Sequence, residues 1–302
     1  MPAFSAHIAE WQHRPAYGIG LFVANLLLMA VLGAMVKALS AHFPLTEILT
    51  FRFTIAALAF AIILPAAGGL VALKTNRPWG HAVRTCSGIA SLGLFFYALA
   101  NIPLADATAL TYSAPIFIVV LSIPLLGETI GWRRWCAVAA GFVGMLLIAQ
   151  PGLGDVSMGA LAAAGSAVTA ALVSISLRRL SKTEKTVTIG FYYNCVGALV
   201  YGSWTLIAGW VTPSGTHLML LLLFGAIASV QQWALTHSHR YAEASLLAPF
   251  EYLVLIFAAA LGYFIWGEVP SVTTWLGAAT IAASGLFIIA RKRARDAQDA
   301  SS

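Results

Sequence analysis

The chain has 302 residues, of which 60% are hydrophobic and only 9% charged, and its mean hydropathy is +0.86. A soluble domain carries about a quarter of its residues as charges, so this composition excludes a soluble globular protein and leaves a polytopic membrane protein. The formal net charge of +6 would suit a nucleic-acid binder, but the placement of the cations excludes that reading.

A spanning helix needs about 20 predominantly apolar residues, because the hydrocarbon is roughly 30 Å thick and a helix rises about 1.5 Å per residue. Ten segments meet this condition: 18–40, 45–67, 79–100, 104–126, 132–150, 157–179, 187–209, 216–236, 242–266 and 271–290. The first follows seventeen fairly polar residues and continues past any small-residue cleavage site, so it is expected to be a retained helix and not a signal peptide. Cations stand before segment 1, in every second loop and after segment 10: Arg14, the group Lys74, Arg77 and Arg84, then Arg133 and Arg134, Arg178 to Lys185, Arg240, and Arg291 to Arg295. The other loops, such as "SAHFP" and "QPGLGDVS", contain none. The positive-inside rule then places both termini in the cytoplasm. Lys37 and Arg52 are the exceptions. Cys86, Cys136 and Cys195 fall inside apolar segments without metal-ligand or disulfide spacing and are expected to be small core residues.

Polar residues inside the segments are the site candidates, since a charge near the bilayer centre costs about 2.5 to 3.5 kcal/mol even on the lenient insertion scale. On segment 1, Lys37 is near the external end, where it can snorkel. Segment 2 opens with Glu47, a carboxylate suited to the helix dipole. Seven residues in, at a depth of about 10 Å, comes Arg52, which cannot readily lose its charge and suits a substrate carboxylate or an acid on another helix. Glu47 itself is about 140° away around the helix, so direct pairing with Arg52 would be strained. Segment 3 carries Phe95, Phe96 and Tyr97, and segment 4 carries Tyr112 and Pro115. Segment 7 contains "FYYN" with Tyr192 and Asn194, and segment 8 contains "QQW", Gln231, Gln232 and Trp233. These amides and aromatic rings would cost less facing one another or a wet cavity than facing lipid, and could line a small-molecule site. Segment 9 holds Pro249 and, about 13 Å from its start, Glu251, which could exchange a proton or pair with a cationic substrate group. Asp106 and Glu243 open segments 4 and 9, and Glu128 and Glu268 close them, as cap and junction residues or as members of a gating ion pair.

The same elements recur. An offset of 140 residues superposes Gly127 and Glu128 on Gly267 and Glu268, Trp135 on Trp275, and Phe51 and Phe53 on Phe191 and Tyr193. "GE" followed by tryptophan seven residues after the acid thus occurs at the junctions of segments 4–5 and 9–10, which reads as a duplication. Each copy has five segments, an odd number, so the copies must cross the bilayer in opposite directions. The boundary falls between residues 151 and 152, giving repeats over 1–151 and 152–302. Pro115 and Pro249 lie within the paired segments 4 and 9, where each removes a backbone donor and is expected to bend its helix beside a cavity. Small residues such as Gly141 and Gly144 on segment 5 permit close packing.

The stretches "IPLADATALTYSAPIFIVVLSIPLLGETIGWRRW" and "YAEASLLAPFEYLVLIFAAALGYFIWGEVPSVTTW", over nearly the whole chain, resemble the two halves of EamA-type carriers of the drug/metabolite transporter superfamily. The resemblance implies an all-α fold of ten helices in two inverted five-helix repeats, a central cavity among segments 1–4 and 6–9, and segments 5 and 10 buttressing the outside. It further implies a multi-pass protein of the bacterial inner membrane that moves small metabolites by alternating access, without a cofactor, with protons as candidate coupling ions. Amino acids or related zwitterionic and aromatic solutes are the expected class, with export favoured; YddG-like exporters of aromatic amino acids belong to this family. Uptake of a vitamin-like or nucleoside-like solute is the alternative. An enzyme is not expected: no HExxH, GxSxG or Walker motif occurs, and all seven histidines are in termini, loops or helix ends. No ring of charges or filter-like repeat points to a channel or receptor.

Overall fold

A computed structural model describes residues 15–65, 69–126, 132–150, 157–180, 183–184, 186–241 and 247–301. Among them there is no strand. The helices are α1 (Pro15–Leu39), α2 (Leu45–Ile63), α3 (Pro78–Asn101), α4 (Leu104–Thr111), α5 (Ala114–Leu126), α6 (Trp132–Ala149), α7 (Met158–Leu180), α8 (Thr186–Ala208), α9 (Gly215–Tyr241), α10 (Leu253–Trp266) and α11 (Val272–Ser301), with short 3₁₀ turns at Gly69–Leu73 and Ala248–Tyr252. Among the described residues six stretches are long and apolar enough to cross a membrane: Ala16–Leu39, Leu45–Ile63, Pro78–Asn101, Leu104–Leu125, Met158–Leu177 and Gly215–Leu235. Shorter apolar helices occupy Trp135–Ala149, Phe250–Trp266 and Val272–Ile288.

Proline and glycine set several helix ends. Pro44 and Pro103 precede α2 and α4, and Pro78 starts α3, where the missing N–H is one of the unpaired donors of a first turn. Segment 4 is divided: α4 ends at Thr111, the residue four before Pro115 whose carbonyl the proline cannot serve, and α5 begins at Ala114. Segment 9 begins its described part with the 3₁₀ turn that contains Pro249 and Glu251, before α10. At the far end of α10, Gly267 is left-handed (φ +68°), and this turns the chain so that the Glu268 amide reaches back to the Gly262 carbonyl at 3.1 Å. The glycine of the "GE" pair thus aims its acid. The matching Gly127 and Glu128 lie outside the described residues, as does Glu243.

The most extensive packing pairs α3 with α7, α6 with α11, α2 with α8 and α1 with α9, with α4 meeting α10. In segment numbers these pairs are 3–6, 5–10, 2–7, 1–8 and 4–9. Exchanging each segment with the one five places on converts 3–6 into 8–1 and returns the other three pairs to themselves, as a two-fold relation between halves requires. Segments in paired elements approach closely through glycine: a Cβ on Gly144 would lie 2.8 Å from the Gly277 carbonyl oxygen, and one on Gly197 2.3 Å from the Phe53 ring. The main core gathers fully buried Leu26, Phe53, Leu99, Leu110 and Phe224 from α1, α2, α3, α4 and α9, whereas Ile116, Val119, Val138 and Ile288 form a small separate cluster from α5, α6 and α11. The outer surface is apolar, with Phe264 81% and Ile207 86% exposed, as a lipid-facing wall requires and a water-facing one does not. Cys86 and Cys136 are on this exposed surface and Cys195 is half-buried, which corrects the expectation of core cysteines. In a lipid solvent a small apolar side chain gains little by facing inward.

Candidate functional site

Arg52 follows Glu47 on α2 by five residues, but the two do not pair. The Glu47 Oε2 accepts from the backbone N–H of Val211 at 3.1 Å, so its role is to tie down the loop after α8 and not to cap its own helix, for which it makes no hydrogen bond. Arg52 instead lies over aromatic rings, its Cζ 5.4 Å from the centre of Phe53 and 6.0 Å from Phe96. Its Nε is buried without a hydrogen-bond partner, and among the described residues no acid reaches the guanidinium.

Phe53 sits between two tyrosines of α8. Tyr193 meets it edge-on at 5.2 Å, Tyr201 stacks on it at 5.6 Å, and Gly197, midway between them on the same helix face, leaves the notch that Phe53 fills. The Tyr201 hydroxyl donates to the Ile89 carbonyl at 3.0 Å. On the far side of Tyr193 lies Arg84, its Cζ 4.5 Å from the ring centre. The loop-charge pattern groups Arg84 with the flanking cations, yet it occupies the second turn of α3 and holds buried, unpartnered Nε and Nη1 atoms. Its depth, six residues inside the third apolar segment, was the available signal and matches that of Arg52.

A second polar group surrounds the interruptions of segments 4 and 9. The Gln231 Nε2 on α9 donates to the Oδ1 of Asn25 on α1 at 2.5 Å, and both are buried. Asn25, a lone amide inside segment 1, is a site residue that the sequence reading misses. The Tyr112 hydroxyl, at the gap between α4 and α5, reaches the Sδ of Met29 at 3.2 Å. The Glu251 carboxylate is close enough to Tyr112 and Tyr252 for its charge to act on both hydroxyls, and among the described residues no hydrogen bond or ion pair satisfies it. Tyr252 points its unpaired hydroxyl at Gly285, where a Cβ would lie 1.8 Å away.

Five of the other sequence candidates stand apart from these groups or turn inward on their own helix. Asn194 is buried but donates to the Gly190 carbonyl one turn back, at 2.8 Å. Tyr192 donates to the Leu73 carbonyl at 2.9 Å and packs on His81, anchoring the 3₁₀ turn between α2 and α3. Tyr97, 42% exposed, and Trp233, 50% exposed, are on outer faces of their helices, and Gln232 is likewise exposed. Consecutive residues on a helix diverge by about 100°, so "QQW" cannot present all three side chains to one cavity. Beside Tyr192, the His81 Nε2 lies 3.6 Å from the Glu184 Oε2, and Thr75 donates to the other oxygen at 2.9 Å.

Away from Arg84 and His81, the ends of segments 1, 4 and 9 are joined by charge. Lys37 does not snorkel: its ammonium pairs with Glu268, donates to the Ile102 carbonyl at 3.3 Å and lies 5.3 Å from the Trp266 ring centre. The other Glu268 oxygen accepts from the Leu104 amide at 3.0 Å, at the start of α4. Asp106 accepts from Thr274 Oγ1 at 2.9 Å. Beside this network a cavity of about 260 Å³ is lined by Asp106, Glu268, Ser271 and Thr274.

The EamA-like transporter family pattern matches residues 16–150 and again 157–290. A riboflavin transporter of Rhizobium johnstonii is 33% identical over 77% of this chain and 77% of its own length. An S-adenosylmethionine uptake transporter of Rickettsia felis is 30% identical over 90% of this chain and 92% of its own. A pseudopaline exporter of Pseudomonas aeruginosa is 32% identical over 91% of this chain and 97% of its own. One solved crystal structure shares the fold with a TM-score of 0.60 at 22% identity, covering 89% of this chain and 95% of that one.

Proposed function

Because this chain belongs to the EamA-like transporter family, and is therefore a multi-pass inner-membrane transporter of small molecules and not an enzyme, we propose that it moves zwitterionic or aromatic solutes, amino acids foremost, by alternating access, with export favoured. The observation that carries this reading is Arg52: a guanidinium inside an apolar segment, lying over rings, with a buried donor left over and no acid among the described residues to neutralise it. An uncompensated buried donor costs about 1 to 3 kcal/mol, more when charged, and a solute carboxylate would remove that cost. Glu251 is the complementary acid, for a cationic solute group or a proton. Tyr112, Gln231 and Asn25 supply hydrogen bonds between these poles, and Phe53, Phe96 and Tyr201 supply faces for a ring.

In this proposal segments 1–5 and 6–10, within repeats 1–151 and 152–302, are ten spans in inverted orientation with both termini cytoplasmic. The exchange symmetry of the packing and the alternation of cationic loops support it. Segments 4 and 9, interrupted near Pro115 and Pro249, are the hinging walls of the site. The Lys37–Glu268 network is then an external gate in its closed state.

A second reading has a specific observation behind it: the relatives named for riboflavin and for S-adenosylmethionine uptake carry solutes with planar rings, which fits uptake of a vitamin-like or nucleoside-like compound. Proteoliposomes separate the two. Radiolabelled phenylalanine, riboflavin and S-adenosylmethionine are offered for exchange, with and without an imposed pH gradient. One of them should show saturable counterflow, which Arg52→Ala and Glu251→Gln should each lower at least about tenfold, the effect of about 1.4 kcal/mol. Undiminished exchange in both variants would remove this site assignment.

A further inference from the structure

The family reading and Arg52 leave a second cation unexplained. Arg84 is six residues inside an apolar segment, where a lysine or arginine ordinarily either snorkels to water or meets an acid. It does neither with its inner half. The Nε and Nη1 atoms are buried and unpartnered, and neither of the ion pairs found among the described residues, Lys37 with Glu268 and His81 with Glu184, includes it.

Its surroundings hold it in place. The guanidinium lies over the Tyr193 ring, its Cζ 4.5 Å from the centre, while the buried Nε and Nη1 donors find no acceptor. Gly88, four residues on and so on the same face of α3, makes the room: a Cβ there would be 2.3 Å from Arg84 Nη1 and 2.8 Å from Tyr193 Cε2. Tyr193 in turn meets Phe53, whose other neighbours are Tyr201 and Arg52. Two guanidiniums with unmet donors therefore stand at either end of one run of aromatic faces, Arg52 in the half of α2 that the charge pattern makes external and Arg84 in the cytoplasmic half of α3.

We propose that Arg84, stacked on Tyr193 in the space left by Gly88, is a second binding station for the carboxylate of an aromatic solute, on the cytoplasmic side of the station at Arg52. The proposal rests on the transport reading for the identity of the ligand, not for the existence of the site. A planar carboxylate satisfies guanidinium donors with charge-assisted hydrogen bonds, while its ring packs on the aromatic cluster of Tyr193 and Phe53. An ammonium satisfies none of them, and a neutral amide offers one uncharged acceptor oxygen in place of two charged ones.

The test uses the full-length protein in nanodiscs of phosphatidylcholine alone, so that no anionic headgroup competes, with 4-fluorobenzoate and its neutral isostere 4-fluorobenzamide as probes. Fluorine line broadening reports binding directly. The parent is expected to bind the benzoate at least about tenfold more tightly than the benzamide, the worth of one good charge-assisted contact. Arg52→Gln should retain a benzoate component, which Arg84→Gln in the same background should abolish. Arg84→Lys, which keeps the charge and loses the flat donor array, should fall between. Gly88→Ala keeps both arginines and should weaken the same component by displacing the stack, so a loss confined to misfolded Arg84 variants is told apart by the unchanged melting temperature of at least one of the set. Benzoate binding in the Arg52→Gln background that survives Arg84→Gln unchanged would overturn the proposal. Solute exchange failing for every compound while this binding remains would instead sink the transport reading and leave the station standing.

Discussion

Lys37, Arg52 and Arg84 lie within apolar segments, and their partners differ. Lys37 is compensated by a carboxylate, a carbonyl and an indole face, whereas Arg52 and Arg84 have rings and, among the described residues, no acid. The compensated charge reads as structural or gating, and the uncompensated ones as waiting for a ligand. This distinction leads to an expected outcome for the outer network. Glu268→Gln removes the partner of Lys37 and weakens the acceptor of the Leu104 amide, so a cysteine introduced at Ser271, in the adjoining cavity, should react several-fold faster with an impermeant maleimide than in the parent. The swap of Lys37→Glu with Glu268→Lys restores the ion pair but leaves the Leu104 amide facing a cation, so only part of the protection should return. Equal labelling in parent and Glu268→Gln would remove the gate. The side-chain types at these positions were legible in sequence, but the division into compensated and uncompensated charges was not. Arg84 shows why: the positive-inside pattern absorbs it as one more flanking cation, although its depth is within a residue or two of that of Arg52.

Helix pairs in this protein close on glycine. Phe53 enters α8 at Gly197 with its ring 2.3 Å from where a Cβ would be, so Gly197→Val forces either the ring or the helix aside. Overpacking of that kind costs about 1 to 3 kcal/mol, and the melting temperature of the purified protein should drop accordingly. Adding Phe53→Ala should recover part of the loss. Gly20→Ala on α1 is the control: nothing lies within 4 Å of its Cβ, and alanine is a better helix former by up to about 1 kcal/mol, so the midpoint should hold or rise. A Gly197→Val protein as stable as the parent would contradict the close packing of α2 on α8. Gly277 and Gly144 are a stricter case, since the atom in the way is a backbone carbonyl oxygen and cannot rotate aside. The repeated "GE" could be seen in sequence as a pattern, and α10 supplies its mechanism: a left-handed glycine that delivers the following acid to Lys37 and Leu104.

At the scale of the molecule, the pairs 1–8 and 3–6 exchange while 2–7, 4–9 and 5–10 return to themselves, and each of these five pairs joins residues 1–151 to residues 152–302. Orientation follows from the loops. Alkaline phosphatase fused after Pro213 should be active, because that loop has no cation and is expected outside, and fused after Thr75 it should be inactive. Activity at both positions, or the reverse pattern, would refute inverted halves with cytoplasmic termini.

The sequence by itself determined that the chain is a membrane protein, where its apolar helices lie and which few polar residues they carry, because transfer of a residue into hydrocarbon is close to a local, additive property. Only the tertiary structure decided which of those residues meet. Gln231 binds Asn25 from 206 positions away and Lys37 pairs with Glu268 across 231, while Tyr97 and Trp233, chosen for the same chemistry, face outward. Such meetings depend on the rotation of each helix about its own axis. In lipid, where apolar side chains are equally content on either face, that rotation is chosen by glycine notches and polar partners on distant helices, not by the hydrophobic pattern of the segment itself.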